Sequence, residues 1–193
     1  TYPTADGRHL RISLAGNGAS FTAIYFRMTE QSFPYISGDM VDLVASVGVS
    51  QYNGRSQVSV IVRDMRYSGL PQEEMLRDAD DYACHLRGEY HLCHREELLP
   101  DREDIAVVYR YLRGASQFTF QAKDLYGRIA DQGITYAKML VALDVLAEME
   151  LITLTGEQGE PGFFCRPNPP RVDLDDSAIL TVLREHPASA VHS

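Results

Sequence analysis

In the first third of the chain, apolar and polar residues alternate, and this pattern predicts β-strands. Asn17-Gly18 and Asn53-Gly54 are typical of two-residue hairpin turns, because both positions tolerate a positive φ. We therefore predict an antiparallel meander, and so short a sheet must curl into a small barrel to bury its apolar face. The strands are predicted over residues 8–14, 21–27, 41–52 and 58–62.

After Tyr67 the apolar residues take the spacing of helices. Asp101 and Thr135 stand where N-cap residues are expected. Three helices followed by a hairpin is the order of a winged helix-turn-helix. The helices are predicted over residues 73–86, 101–113, 123–130, 136–149 and 176–185, and the hairpin strands over 151–154 and 163–166.

These elements predict the α+β class, because strands fill one region and helices the next. The predicted domains are a strand domain over residues 1–68, a helical linker over 69–99, a winged-helix-like domain over 100–170, and a C-terminal helix and tail over 171–193. The tail from His186 resembles a frayed terminus.

The charge is spread unevenly over the 193 residues, of which 45% are hydrophobic. The net charge of −9 argues against nucleic acid as a partner. However, residues 1–67 hold six basic and five acidic residues, while the remainder holds 12 basic and 22 acidic ones. The strand-rich region thus has a net charge of +1, so the total does not exclude it from binding nucleic acid.

The composition also bears on location. No apolar run reaches the ~18 residues of a membrane helix, so no membrane partner is expected. Three cysteines are few and odd in number, which favours a reducing compartment and predicts a cytoplasmic protein. Because the chain opens with Thr1, it is interpreted as processed or as a fragment.

We find no motif for catalysis: no Walker A loop, nucleophile elbow, HExxH or paired CxxC. One cluster contains zinc-ligand residue types, but its Cys-His doublets lack the two-residue gap that lets a knuckle wrap an ion. We therefore predict neither catalytic residues nor a metal site. The cluster consists of Cys84, His85, His91, Cys93 and His94.

The outer face of the strand domain is the most informative surface. With Leu10, Ile12, Ile24, Phe26 and the valines at 58, 60 and 62 placed inside, two-residue periodicity places arginines and aromatic rings outside. Guanidinium groups bind phosphates and rings stack on unpaired bases, which suits single-stranded nucleic acid. The residues predicted to contact phosphates are Arg11, Arg27, Arg55 and Arg63, and those predicted to stack are Phe21 and Tyr25.

An alternative interpretation has the aromatic rings covered by another domain and the arginines paired with Asp39, Asp42 and Asp64. The third helix of the winged-helix-like domain is itself a poor candidate for reading DNA. Lys138 is its only basic residue, against Asp144, Glu148 and Glu150. A packing or protein-contact role is favoured for that helix.

Residues 8–14, RHLRISL, and 21–26, FTAIYF, resemble the OB-fold domain of RecJ-type exonucleases, as do SQYNGR at 50–55 and residues 58–66. The chain departs from that family by Arg11 for Lys, Ser50-Gln51 for Asn-Glu and Met65 for Ile. Residues 99–104 and 108–113 are similar to the extra C-terminal domain of RecJ proteins from Gram-positive bacteria.

The resemblance implies that the first domain is a small antiparallel OB-like β-barrel, which the winged-helix-like domain predicted above then follows. It implies a parent enzyme that degrades single-stranded DNA from the 5′ end in recombination and repair. That enzyme uses Mn²⁺ or Mg²⁺ held by Asp and His motifs of two catalytic domains, which this chain lacks. The chain would then be a non-catalytic part that binds single-stranded DNA and holds no cofactor. An OB fold has five strands, so a fifth is expected in Thr1–Asp6 or lies outside the fragment.

Two other functions stay open. In one, the acidic helical region docks a repair or replication protein, or mimics DNA against a basic partner. In the other, the chain is an independent enzyme, which would require a metal bound through the cysteine and histidine cluster.

Overall fold

The fold consists of a sheet-forming unit followed by a helical unit, which confirms the α+β class. A computed structural model describes residues 1–4, 6–30, 32–52, 54–114, 118–119, 122–155 and 162–185. The chain divides into two compact units, Thr1–Gly69 and Leu70–Ser193. The finer domain boundaries stay predictions.

Five strands form the sheet of the first unit, in the order β1-β2-β3-β5-β4. A fifth strand does lie near the N-terminus, where the resemblance required one. The prediction of an antiparallel meander was wrong at one pair, because β3 runs parallel to β5. Among the described residues β1 and β4 do not pair, so the OB-like barrel is not closed. The strands are β1 (Tyr2–Pro3), β2 (His9–Gly16), β3 (Ala19–Phe26), β4 (Val41–Tyr52) and β5 (Arg55–Tyr67).

A two-residue turn sets which face each residue of β3 occupies. Asn17 and Gly18 have φ values of 51° and 79°, and Gly16 pairs with Ala19 across them. Leu10 therefore lies opposite Tyr25, and opposed residues share a face. Leu10 is fully buried, so this side is the inner face of the sheet.

The faces predicted for β3 were consequently wrong by one residue. Phe21 and Tyr25, expected outside, pair with Leu14 and Leu10 and lie on the inner face. Ile24 and Phe26, expected inside, occupy the outer face. The small, fully buried Ala23 takes the place next to Ile12 instead. Leu10, Ile12 and Val62 are buried as predicted.

A β-bulge interrupts the pairing of β4 with β5. Val44 pairs with Asp64 and Ala45 with Val62, which leaves Arg63 without an opposite residue. The extra residue allows Val62 and Met65 both to be buried, while the two residues between them, Arg63 and Asp64, are both exposed.

The second unit contains six helices and a small sheet among its described residues. The sheet has the order β6-β8-β7. Both predicted caps are present: the Thr135 hydroxyl accepts from the Lys138 N–H, and Asp101 and Asp104 each accept from the other's N–H. The elements are α1 (Gln72–Leu86), α2 (Arg95–Leu98), α3 (Arg102–Gly114), β6 (Phe118–Thr119), α4 (Ala122–Ile129), α5 (Tyr136–Glu148), β7 (Ile152–Thr155), β8 (Gly162–Cys165) and α6 (Ala178–Glu185).

All of the predicted helices and hairpin strands of this unit are present, and α2 and β6 are additional. The turn joining β7 to β8 and the tail from His186 lie outside the described residues. In the part of the chain that is described, no helix combines the length and the apolar character needed to cross a bilayer.

Helix α5 lies at the centre of the second unit. Seven of its 13 residues are buried, and α1, α3, α4 and α6 all contact it. Helix α1 is held to it by hydrogen bonds: the buried Asp78 carboxylate accepts from the Ala137 N–H at 3.1 Å, and the Tyr82 hydroxyl donates to Asp144 at 2.6 Å.

Candidate nucleic-acid interface

The outer face of the sheet brings together side chains from β2, β3 and β5. His9 lies opposite Phe26, and Arg63 follows the parallel pair Tyr25–Val62, so these three occupy neighbouring positions. The next position along the strands holds Arg11 opposite Ile24. A ring and two guanidinium groups therefore share one surface.

An open groove of about 560 Å³ lies at this position, and we call it the His9 groove. Phe26 is 46% exposed there, so a flat face is accessible for stacking. Arg27 follows Phe26 directly and has a positive φ of 60°. The residues lining the groove are His9, Tyr25, Phe26, Arg27, Val62 and Arg63.

The arginines of this surface are not neutralised by the carboxylates of the same unit. Among the described residues, no ion pair involves Arg11, Arg27 or Arg63. The Arg63 Nε donates to the Ser46 hydroxyl at 3.0 Å, which orients the guanidinium without cancelling its charge. The pair that does form joins Arg66 to Asp42 at 3.2 Å.

One carboxylate lies near the groove. Asp6 Oδ2 is 3.9 Å from His9 Nε2. The Thr4 hydroxyl donates to Asp6 at 2.6 Å, and this bond, with the Arg8 N–H, lowers the pKa of the Asp6 carboxyl. Asp6 is therefore ionised at neutral pH, beside the imidazole.

The structure brings together only part of the predicted site. Arg11 and Arg63 lie on the outer face, and Arg27, which follows β3, lines the groove. Phe21 and Tyr25 are on the inner face, although Tyr25 also borders the groove. Arg55 begins β5, eight residues before Arg63 and so about 25 Å away along the strand. The Arg55 side chain lies outside the described part of the structure.

Phe26 is the site residue that the sequence interpretation missed, since it was placed in the core. The signal that could have found it is the Asn17-Gly18 turn. A two-residue loop pairs Gly16 with Ala19, and counting back from that pair puts Phe26 opposite His9 rather than beside Leu10.

In the cysteine and histidine cluster of the second unit, His94 is engaged by a neighbouring carboxylate. The His94 Nδ1 is 3.0 Å from Asp81 Oδ2, and the His94 N–H donates to the same carboxylate. Within the described ranges no three histidine, cysteine or acidic side chains are grouped so that they could hold an ion.

Strand order, the parallel β3–β5 pair and an arginine-rich outer face together define the first unit as an OB-like sheet. Residues 3–64 match the family model of the RecJ OB domain. The matched segment covers about a third of the chain and contains every residue of the His9 groove. No curated protein and no solved structure matches the chain.

Proposed function

We propose that this chain is a non-catalytic C-terminal part of a RecJ-like 5′–3′ exonuclease, and that its OB-like sheet binds single-stranded DNA for recombination and repair. The observation that carries the proposal is the His9 groove, where the exposed ring of Phe26 lies beside Arg27 and Arg63, neither of which forms an ion pair with a described residue. The match of residues 3–64 to the RecJ OB domain supports the same assignment.

The chemistry of this surface suits a single strand. Arg11, Arg27 and Arg63 bind successive phosphates, while an unpaired base stacks on the exposed ring of Phe26. Stacking and phosphate contacts do not depend on the base, so binding is independent of sequence. The parent's Mn²⁺ or Mg²⁺ belongs to catalytic domains that this chain lacks, and no step here passes through a metal.

Fluorescence anisotropy with a labelled oligothymidine tests the proposal. The 193-residue chain binds with micromolar or weaker affinity, and the logarithm of the binding constant falls with log salt at a slope of about −2 for three phosphate contacts. In the double variant Arg11→Ala with Arg63→Ala the slope falls to about −0.7. A matched control is Arg66→Ala, which removes an arginine already paired with Asp42 and leaves the slope near its original value. Absence of binding at low salt would refute the proposal.

A second candidate function concerns the helical unit. If its helix, helix, helix, hairpin order is that of a winged helix, α5 is the helix that would read DNA, yet α5 is largely buried in its own unit. This favours docking of a repair or replication protein on the acidic surface instead. A partner captured from lysate by the full chain, and lost from a chain ending at Gly69, supports this function; equal capture by both chains contradicts it.

A further inference from the structure

His9 contacts both of the residues that would bind DNA at one end of the groove. Its Nδ1 accepts a hydrogen bond from the Arg27 backbone N–H at 3.1 Å. Its ring meets that of Phe26 edge-on, with centroids 4.7 Å apart and planes at 72°. One imidazole therefore touches the stacking ring and the backbone of the neighbouring arginine.

The conformation of Arg27 needs such support. Its φ of 60° lies in the left-handed region, which disfavours residues with a Cβ. Arg27 follows the last residue of β3, where the sheet no longer pairs its N–H. The His9 Nδ1 supplies the missing acceptor, and Arg27 in this conformation lines the groove.

The hydrogen bond also defines the tautomer of His9. Because Nδ1 accepts, it carries no proton, and the ring proton is on Nε2. Nε2 is on the side of the ionised Asp6, 3.9 Å from Oδ2, and a negative charge there favours this tautomer. Asp6 is itself held by Thr4 and by the Arg8 N–H.

We propose that His9 is a positioning residue of the DNA site: its Nδ1 holds Arg27 in the left-handed conformation beside the ring of Phe26. The guanidinium and the stacking ring are then correctly spaced before DNA arrives, which lowers the ordering cost of binding. This inference rests on the proposed function and assigns to His9 a role exerted through Arg27 rather than a contact with DNA.

Two substitutions separate the functions of the imidazole. His9→Asn keeps an acceptor oxygen near the position of Nδ1 but loses the ring, whereas His9→Phe keeps a ring and loses the acceptor. We expect His9→Phe to weaken oligothymidine binding roughly 2- to 12-fold, the effect of one hydrogen bond. His9→Asn retains most of the affinity. In an Arg27→Ala background the loss caused by His9→Phe disappears, because the guanidinium that the hydrogen bond positions is gone even though the backbone N–H remains.

Amide hydrogen exchange at Arg27 tests the hydrogen bond without DNA. Exchange is slow in the wild-type chain and in His9→Asn and is faster in His9→Phe, while the amides of β2 are unchanged. Faster exchange throughout the sheet of His9→Phe would instead indicate that this variant unfolds. The affinity of His9→Asn for oligothymidine would then decide whether the acceptor alone supports binding.

The outcomes distinguish the two proposals. If the wild-type chain does not bind, the proposed function fails and the role of His9 fails with it. If it binds and Phe26→Ala weakens binding but His9→Phe does not, only the role of His9 is overturned. Equal losses from His9→Phe with and without Arg27→Ala overturn a role through Arg27.

Discussion

The His9 groove and helix α5 use charged groups in opposite ways. In the groove, Arg27 and Arg63 form no ion pair with any described residue. On α5, Lys138 pairs with Asp104 at 3.1 Å, and Asp144 and Glu148 accept hydrogen bonds from Tyr82 and Ala178. Net charge is therefore a poor guide to a partner, because charges already used inside the fold contribute little to the binding of an outside ligand.

The largest expected effect tests the groove. Phe26→Ala should weaken oligothymidine binding about 5- to 150-fold, because stacking on an aromatic ring contributes about 1–3 kcal/mol per base. Fluorescence anisotropy at low salt measures the change. Phe21 is a closely matched control, since it lies in the same strand and is 43% exposed but points from the opposite face. Phe21→Ala should change the affinity less than twofold; an equal loss would mean that the wrong face has been identified.

The next effect concerns the stability that a buried hydrogen bond to α5 contributes. Asp78 is 3% exposed and its carboxylate accepts from the Ala137 N–H in the first turn of that helix. Asp78→Ala leaves a buried donor unsatisfied, which should lower the free energy of unfolding by about 1–3 kcal/mol in urea denaturation. Asp80→Ala, in the same helix but exposed, should change it by less than about 0.5 kcal/mol. DNA affinity should not change in either variant, and a loss in Asp78→Ala alone would link α5 to the DNA site.

Both regions show what local sequence could predict. Strands β2 to β5 and helices α1, α3, α4, α5 and α6 follow from two- and 3.6-residue periodicity, turn pairs and caps. Arg11 and Arg63 were placed on the outer face for the same reason, whereas Arg27 was placed there by the assignment of β3 that the structure shifts by one residue. Helix α2 and strand β6, of four and two residues, are too short to give a periodic signal.

The rest depended on contacts distant in sequence. Strand β3 has large apolar residues at both phases, so its pattern alone could not decide its inner face, although the turn at Asn17-Gly18 could. The parallel β3–β5 pair joins residues 37 positions apart, and the bulge at Arg63 joins residues 17 to 20 positions apart; neither carries a local signature. Phe26 was missed because the inner face of β3 was assigned wrongly, and the open barrel because strand order, in which β1 and β4 do not pair among the described residues, is not encoded locally.

A smaller effect concerns the pH dependence of stability around α5. Burial raises the pKa of the Asp144 carboxyl above its ordinary value of 3.8, and this outweighs the hydrogen bond from Tyr82. The native state then holds the proton more tightly than the unfolded chain, so this group's contribution to stability falls as pH rises above 3.8. Asp144→Asn removes this titrating group. In that variant the free energy of unfolding, measured by urea denaturation, should therefore decline less between about pH 4 and pH 7 than it does in the wild-type chain. Glu150→Gln, at an exposed position, should keep the wild-type profile; an Asp144→Asn profile identical to wild type would contradict the direction of the shift.

The inner face of the open barrel offers a matched pair of positions, one of which has the smallest expected effect. Val58 and Val62 belong to the same face of β5, yet Val58 is 63% exposed and Val62 is 3% exposed. Val62→Thr buries a hydroxyl and should cost about 1–3 kcal/mol in urea denaturation. Val58→Thr should cost less than about 0.5 kcal/mol, because its hydroxyl stays in water. If Val58→Thr costs as much as Val62→Thr, the Val58 side chain must be buried in solution. The inner face would then be covered at that end of β5, and the outer face, with the His9 groove, would be the face of the sheet left open to DNA.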